Sequence, residues 1–407
     1  MEIKFHDFLP EKLLNTIDFS QDCVFITIPC YVEEDLMTTL CSLDQCEPCG
    51  KVPVVIVLVN SPDGIDSEIW IKNRTAYLQA KNSNFESITV LPIHIYEIPK
   101  RIAGVGLARR MAMDTANFLY EYLNNETQPI LCLDADSTVK ENYLKEVVKF
   151  FDEKPDTAAV SIHFEHPYNE DIDEVLKNGI IDYELHLRYF IEAQRWAAHP
   201  HAYQTIGSSM AVRSSDYKKQ GGMNKRKAGE DFYFLHKFSR INALADLNST
   251  TVYPAVRVSD RVPFGTGKAL KDIAEGQKFS TYSFRTFIDL KKIIDGVNLL
   301  KKGSGSDLNE LFPTTFLECF GREEILAAIS DSKKNSSSPA TFEKRFYYWF
   351  DAFKVFKFAH YCRDNYYPNQ EVLTAVNDFF DFTTGKGLSF SMPVDALEYF
   401  RKIIENG

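Results

Sequence analysis

The sequence of 407 residues has no apolar run approaching the roughly 20 residues that a membrane-spanning helix requires. Its first six residues, Met-Glu-Ile-Lys-Phe-His, lack the apolar segment of a secretory signal peptide. Positive charge is scarce, because 46 lysines and arginines stand against 57 aspartates and glutamates, for a formal net charge of -11. A chain of this charge is a poor ligand for phosphate backbones. We therefore expect a soluble cytoplasmic protein that does not have nucleic acid as a partner.

The eight cysteines lack the neighbours that would complete a metal site. Cys41, Cys46 and Cys49 have a C-x4-C-x2-C spacing, which occurs in iron–sulfur and zinc proteins. No second C-x2-C motif and no nearby histidine in the sequence adds to this set. Cys41 is predicted to occupy a core position of a helix beside Leu40. We therefore predict reduced thiols that serve as small core residues.

Apolar runs of strand length alternate with helical patterns in the first third of the chain. Strands are predicted at residues 23–29, 52–59, 88–98 and 130–133, with helices between them. This order predicts an α/β fold with a mostly parallel sheet flanked by helices. The later patterns are largely helical, so we expect a first domain over residues 1–265 and a helical C-terminal region over 266–407.

Two carboxylates, Asp134 and Asp136, follow the buried strand at residues 130–133. Ligands of open α/β sheets bind at this edge, where the parallel strands end. Two carboxylates in one turn can share a hard divalent cation that also holds a diphosphate. The alternative is that the two aspartates are only a polar strand end, and that Ser137 or Thr138 begins a helix over residues 139–151. For an isolated Asp-x-Asp motif, this purely structural role is the more common one.

Polar residues also follow the other predicted strands. After the first two strands come Pro29, Tyr31, Glu33 and Asn60. Further along, a glycine-rich basic loop at 221–229 leads into Glu230 and Asp231, before a helix predicted at 232–241. A lone Glu-Asp pair at a helix start is more often a cap. Because parallel strands end at one edge, we expect the acidic groups to converge there.

This set of motifs resembles the family 2 glycosyltransferases, which have the GT-A fold. In that family the first strand ends in Pro-x-Tyr-Asn-Glu, the second in Asp-Asp-x-Ser and the fourth in Asp-x-Asp, and a Glu-Asp pair follows a glycine-rich loop. The segment from Gly104 to Arg110 also looks like the family's Gly-x-x-x-Ala-Arg-Asn. The resemblance covers roughly residues 20–265. Val32, Asn60 and Arg110 depart from the family pattern, which has Asn, Asp and Asn there.

The resemblance implies an inverting hexosyltransferase that moves a sugar from a nucleoside-diphosphate sugar, with UDP favoured, to a hydroxyl group. Asp136, supported by Asp134, would hold Mg2+ or Mn2+ against the diphosphate. Asp231 would be the catalytic base, and Glu230 would orient the acceptor. The residues expected to bind the nucleotide sugar are Pro29, Tyr31, Glu33, Asn60, Arg109 and Asp134.

Five basic residues are available to the leaving diphosphate, and the sequence does not choose among them: Arg226, Lys227, Arg257, Arg261 and Lys268. No histidine lies between His236 and His360, so water, Asp260 or no group at all would take the place of a third metal ligand. His199 and His201 are predicted to be exposed loop side chains, with the acceptor pocket as the alternative.

The acceptor expected from the family is a glycan or a lipid-linked glycan, in the synthesis of cell-surface polysaccharide. The eight aromatic residues between Phe346 and Phe358 are expected to pack against the catalytic domain or to form a homo-oligomer through the C-terminal helices. Because Lys354 and Lys357 lie beside these aromatic residues, peripheral contact with a membrane is the alternative role for this segment.

Three other classes of protein fit the motifs of the sequence less well than a glycosyltransferase. A dinucleotide-dependent oxidoreductase is disfavoured because the glycine pattern that begins at Gly104 and Gly106 has Arg109 in place of the third glycine. The pattern also follows the third predicted strand, whereas the dinucleotide-binding pattern follows the first. A nucleotidyltransferase would carry a glycine-rich basic loop after the first strand, where this chain has Pro29 to Glu33. An inactive GT-A-like binding protein is disfavoured because the acidic motifs are intact.

Overall fold

The computed structural model describes residues 22–168, 172–226, 229–259, 265–305, 307–385 and 387–405. The chain divides into two units. The first comprises Met1–Pro167, Thr205–Lys268 and Glu405–Gly407, and the second comprises Tyr168–Gln204 and Ala269–Ile404. Residues 1–21 lie outside the described residues.

An eight-stranded sheet, in the order β3-β2-β1-β4-β7-β6-β8-β5, forms the centre of the first unit. Its strands are β1 Cys23–Cys30, β2 Val52–Pro62, β3 Thr89–Ile98, β4 Pro129–Cys132, β5 Ser137–Val139, β6 Ala159–Phe164, β7 Met210–Arg213 and β8 Leu244–Pro254. Strands β3, β2, β1 and β4 pair in parallel, as do β6 and β8. The mostly parallel sheet flanked by helices and followed by a helical region is confirmed.

Strands β7 and β5 form the antiparallel pairings of this mostly parallel sheet. Strand β7 pairs antiparallel with both β4 and β6, and β5 pairs antiparallel with β8. The predicted helix over 139–151 is shorter, because residues 137–139 form β5 and the helix begins at Tyr143. The polar ends of β1, β2 and β4 still share one edge, because these strands are parallel.

The helices flank the sheet and form the second unit. Numbered along the chain, they are α1 Leu36–Asp44, α2 Ser67–Asn82, α3 Val105–Tyr122, α4 Tyr143–Glu153, α5 Glu174–Trp196, α6 Ser214–Lys219, α7 Glu230–Ser239, α8 Thr266–Ala274, α9 Phe284–Lys301, α10 Leu308–Leu311, α11 Thr314–Phe320, α12 Arg322–Lys334, α13 Pro339–Trp349, α14 Ala352–Asn365, α15 Val372–Thr384 and α16 Pro393–Glu405. Within the described parts of the chain, no helix is long and apolar enough to cross a membrane.

Helix α1 corrects one prediction. It begins at Leu36 after Asp35, so Glu33 lies in the turn that precedes the helix. Cys41 is exposed, although it was predicted to face the core. At about 100° per residue, Cys41 lies roughly 140° around the helix from Leu36, which faces the sheet. Cys46 is buried, and burial raises the pKa of its thiol to about 11, as expected for a core thiol.

Helix α3 is fixed to the centre of the sheet by Tyr120. This side chain is fully buried and packs edge-to-face on Phe25 with the ring centroids 4.6 Å apart. Its hydroxyl donates a hydrogen bond to the carbonyl of Pro129 at 2.8 Å and accepts one from the backbone N–H of Phe25 at 3.1 Å. Because the contacts join α3 to both β1 and β4, they set where the first turn of α3 meets the edge of the sheet.

The second unit has an aromatic core to which Phe287, Phe316, Phe346 and Phe350 contribute fully buried rings. His199 and His201 are buried in this unit, so the prediction that they are exposed was wrong. The Nε2 atom of each lies 3.2 Å from a backbone carbonyl, that of Phe350 and of Tyr347 respectively. A neutral imidazole that satisfies a buried carbonyl is compatible with this interior.

Candidate active site

The turn after β1 has a strained backbone at Val32. Its φ is +50°, in the left-handed region that β-branched residues rarely adopt. Its backbone N–H donates a hydrogen bond to Oδ1 of Asn73 on α2 at 2.7 Å. This turn carries Tyr31 and Glu33 past the end of the strand, toward the edge where β4 ends.

Asn73 was missed by the sequence analysis, and it joins the ends of β1 and β2. It is fully buried, and its Nδ2 atom donates to Oγ of Ser61 at 2.9 Å and to the carbonyl of Asn60 at 3.4 Å. Asn60, predicted to contact the nucleotide base, is itself buried. A signal was present in the sequence, because Asn73 shares the spacing of the buried Ala76 and Ala80 on α2.

Arg109 on α3 connects the Asp-x-Asp turn to the Glu-Asp pair. Its Nη2 atom lies 2.5 Å from Oδ1 of Asp134, and its Nη1 atom lies 2.5 Å from Oε1 of Glu230. Burial alone would lower the pKa of Arg109, but the two carboxylates outweigh it and hold the pKa above its usual range. With both terminal nitrogens bound to acids, Arg109 acts on the donor site through Asp134.

Gly207 provides the space that Arg109 occupies. A Cβ atom at position 207 would lie 2.3 Å from Nη1 of Arg109, closer than two such atoms can approach. The sequence analysis did not identify Gly207, because nothing local distinguishes it from other loop glycines. Any side chain at this position would move the arginine away from Asp134 or Glu230.

Arg257 makes the corresponding connection between the ends of β1 and β4. Its Nη1 and Nη2 atoms lie 2.6 and 2.5 Å from the two carboxylate oxygens of Glu33. The same Nη2 atom lies 2.5 Å from Oδ2 of Asp136. Burial would lower the pKa of Arg257, but its hydrogen bonds and the charges of Glu33 and Asp136 raise it.

Among the candidate cations that the structure describes, Arg257 contacts the predicted metal ligand Asp136. Arg226 instead lies over the ring of Tyr233, with its guanidinium carbon 3.7 Å from the ring centroid. Lys268 lies on α8. Lys227, Asp260 and Arg261 lie outside the described residues.

Asp231 lies in the first turn of α7, because this helix begins at Glu230 and not at the predicted residue 232. Its Oδ1 atom accepts a hydrogen bond from the backbone N–H of Phe232 at 2.7 Å. Burial and the charge of Glu230 raise the pKa of Asp231 to about 6, against the opposing effect of Arg109. Glu230 is buried and Asp231 is partly exposed. A carboxylate of this kind can accept a proton near neutral pH.

The loop before α7 is fixed to α3 by its backbone. Arg110 donates from Nη1 to the carbonyl of Met223 at 2.8 Å, and Lys237 donates to that of Gly222 at 2.8 Å. A Cβ atom at Gly106 would lie 2.1 Å from the carbonyl oxygen of Arg226. Arg110, which replaces the family's asparagine, therefore has a structural contact that holds the loop.

The acidic turn has the donor atoms that Mg2+ or Mn2+ requires. Asp134 and Asp136 offer carboxylate oxygens, and their side chains are 37% and 22% exposed. Among the residues that the structure describes, no third histidine, cysteine or carboxylate forms a cluster with this pair in which all ligand atoms lie within 4.8 Å of one another. The turn therefore offers two carboxylate side chains as ligands for such a cation.

No protein-family model matches the sequence, and no curated protein does. The chain is similar to S. aureus TarS residues 1–349 in complex with UDP-GlcNAc, at 15% identity and a TM-score of 0.38, over 95% of this chain and 88% of that one. It is also similar to the mannosyltransferase PcManGT from Pyrobaculum calidifontis in complex with GDP-Man and Mn2+, at 14% identity and a TM-score of 0.34, over 87% of this chain and 92% of that one. For GalNAc-T7 with UDP, GalNAc and Mn2+ the identity is 13% and the TM-score 0.38, over 81% of this chain and 57% of that one. These TM-scores are too low to carry an argument about this chain.

Proposed function

We propose that this protein is a glycosyltransferase that moves a sugar from a nucleoside-diphosphate sugar to a hydroxyl acceptor. The observation that carries the proposal is the ion network at the edge of the sheet. Arg109 joins Asp134 to Glu230, next to Asp231, and so connects a turn suited to a diphosphate with a carboxylate suited to a hydroxyl. Glycosyl transfer needs these two functions side by side.

The donor half of the site is formed by the turns after β1 and β4. Transfer breaks a C–O bond and leaves negative charge on the diphosphate. Asp136, supported by Asp134, would hold Mg2+ or Mn2+, which supplies positive charge at the phosphates. Pro29, Tyr31 and Asn60, which lie at or after the ends of β1 and β2, would receive the base, and uridine is the favoured base.

The acceptor half is formed by the start of α7. Asp231 would take the proton of the acceptor hydroxyl as that oxygen attacks the anomeric carbon from the side opposite the diphosphate. The hydrogen bond from the N–H of Phe232 fixes the orientation of this carboxylate. Glu230 is buried against Arg109, which supports a role in positioning the acceptor site. A single displacement of this kind inverts the anomeric centre.

The narrower assignment is an inverting, hexosyl-transferring member of glycosyltransferase family 2. Its acceptor would be a glycan or lipid-linked glycan of cell-surface polysaccharide synthesis, in the cytoplasm. The exposed aromatic residues Tyr348, Phe353 and Phe356 of the second unit provide a surface for a homo-oligomer, with peripheral membrane contact as the alternative. The sequence motifs and the charges of the site support this assignment.

The experiment that tests the proposal is calorimetric titration of UDP, GDP, CDP, TDP and NAD with and without Mn2+. We expect one nucleoside diphosphate to bind in the presence of Mn2+ and Asp136→Ala to abolish that binding. An exposed carboxylate on α4 gives the matched control, Asp152→Asn, which should bind as the wild type does. Binding of NAD alone would assign the site to an oxidoreductase. Binding of no nucleotide would favour an inactive relative.

A further inference from the structure

Arg257 lies among the carboxylates at the position that a cation would take. It belongs to the loop at 255–259, after β8. One guanidinium spans both oxygens of Glu33 and Oδ2 of Asp136, and its Nη1 atom lies 4.0 Å from Asp35. A single positive charge is thus shared by carboxylates that follow two different strands.

The two arginines of the site differ in their freedom to move. The side chain of Arg109 is 3% exposed, and each of its terminal nitrogens has a buried or half-buried acid as a partner. The side chain of Arg257 is 29% exposed and lies in a loop. Of the two, Arg257 can therefore change its partner without emptying a buried position.

A divalent cation and Arg257 cannot both bind Oδ2 of Asp136. A magnesium ion lies about 2.1 Å from a carboxylate oxygen, and the guanidinium already lies within hydrogen-bond distance of that same oxygen. The two positive charges would meet at roughly 4 Å or less, where they repel strongly in a site partly shielded from water. Binding of a cation to Oδ2 of Asp136 therefore requires Nη2 of Arg257 to leave that oxygen.

We propose that Arg257 takes the place of the divalent cation while no donor is bound, and turns to the donor's diphosphate when the cation binds Asp136. This inference rests on the proposed function. Glu33 keeps Nη1 in position, so only the Nη2 half of the guanidinium exchanges a carboxylate oxygen for a phosphate oxygen. The planar fork of arginine suits this exchange, because it matches both groups.

Because of this exchange, the bound cation raises the affinity for the diphosphate, and the bound diphosphate raises the affinity for the cation. Without the diphosphate, the cation competes with Arg257 for Asp136, so its affinity is low. With the diphosphate present, Arg257 has a new partner and the competition ends. Couplings of this kind typically change affinity by about 5- to 150-fold, and they are equal in both directions.

The test compares wild type, Arg257→Gln, Arg257→Lys and the control Arg345→Gln, which removes an exposed charge from α13. In the first measurement Mn2+ is titrated alone, and its binding is detected by the paramagnetic resonance signal of the free ion. In the second, UDP is titrated by calorimetry in the presence of saturating Mn2+. For Arg257→Gln we expect Mn2+ alone to bind several-fold more tightly and UDP to bind roughly tenfold or more weakly. Arg257→Lys should keep the weak Mn2+ binding, because its charge still competes, and should bind UDP less tightly than wild type.

The inference is overturned if Arg257→Gln binds Mn2+ alone no more tightly than wild type, or if it binds UDP equally well. Thermal unfolding with EDTA and with Mn2+ shows whether each variant is folded, and Arg257→Gln should gain more stability from Mn2+ than wild type does. If wild type binds no nucleoside diphosphate, the proposed function fails. The Mn2+ titration then still decides whether Arg257 competes with a cation.

Discussion

Arg109 and Glu230 are 121 positions apart in the chain, and their side chains form a buried ion pair with Nη1 and Oε1 2.5 Å apart. The pair brings the first helical turns of α3 and α7 together behind Asp231. It controls both the position and the charge environment of the proposed base. Changes in either residue should therefore affect the pH dependence of the reaction.

Removal of the positive charge at Arg109 should move the acidic limb of the pH–rate profile to higher pH. Arg109 lowers the pKa of Asp231, so Arg109→Gln should raise it further and leave less of the base ionised at neutral pH. Arg109→Lys keeps the charge and should leave the limb in place while lowering the rate. The measurement is kcat/KM against pH, with the exposed Arg345→Gln as the charge control. An unshifted limb in Arg109→Gln would refute this electrostatic link.

The wild-type profile itself should report Asp231. Its pKa is raised to about 6 by burial and by Glu230, and the base works only when it is ionised. The value of kcat/KM should therefore fall below about pH 6, by roughly tenfold for each unit.

Asp231→Asn should abolish this limb and reduce transfer by about 100- to 10,000-fold, the usual contribution of a general base. UDP affinity should change little, because Asp231 belongs to the acceptor half. A variant that retains full activity would show that another group accepts the proton.

Gly207→Ala should weaken transfer through Arg109. The new Cβ would lie 2.3 Å from Nη1 of Arg109 and would displace the guanidinium from Asp134 or Glu230. We expect the free energy of unfolding to fall by about 1–3 kcal/mol, as in other overpacked sites.

A double-mutant cycle checks the cause of the Gly207→Ala effect. Lysine lacks the terminal fork of arginine, so Gly207→Ala should cost less stability in an Arg109→Lys background than in wild type. Additive losses, measured by denaturant unfolding, would show that Gly207 acts independently of Arg109.

Val32→Asn should stabilise the protein. Val32 has a φ of +50°, where a β-branched residue is strained and asparagine is several-fold enriched. Relief of this strain should raise the free energy of unfolding by about 0.5–1 kcal/mol, part of the 1–3 kcal/mol stored at such positions. The control is Val175→Asn, an exposed position in the first turn of α5. A lower stability of Val32→Asn than of wild type would show that Val32 contributes more by packing than it costs in strain.

The sequence predicted a pair of carboxylates after a buried strand and a helix after the glycine-rich loop, because both signals are local. Asp134 and Asp136 follow a short buried run, and Asp231 follows a glycine that ends a loop. It could not predict the antiparallel β7, since four residues carry too little pattern to set a direction. The partners of Arg109 and Arg257 also escaped it, because each lies more than a hundred positions away from an acid that it binds.

The second unit is built from two separate stretches of chain, Tyr168–Gln204 and Ala269–Ile404. Tyr189 of α5 packs edge-to-face on Phe287 and on Phe379, which come from the later stretch. The apolar face of α5 is therefore fully covered only after α15 has been synthesised. At about 5–20 residues per second the interval between α5 and α15 is on the order of 10–40 seconds, during which part of the apolar face of α5 is exposed to solvent.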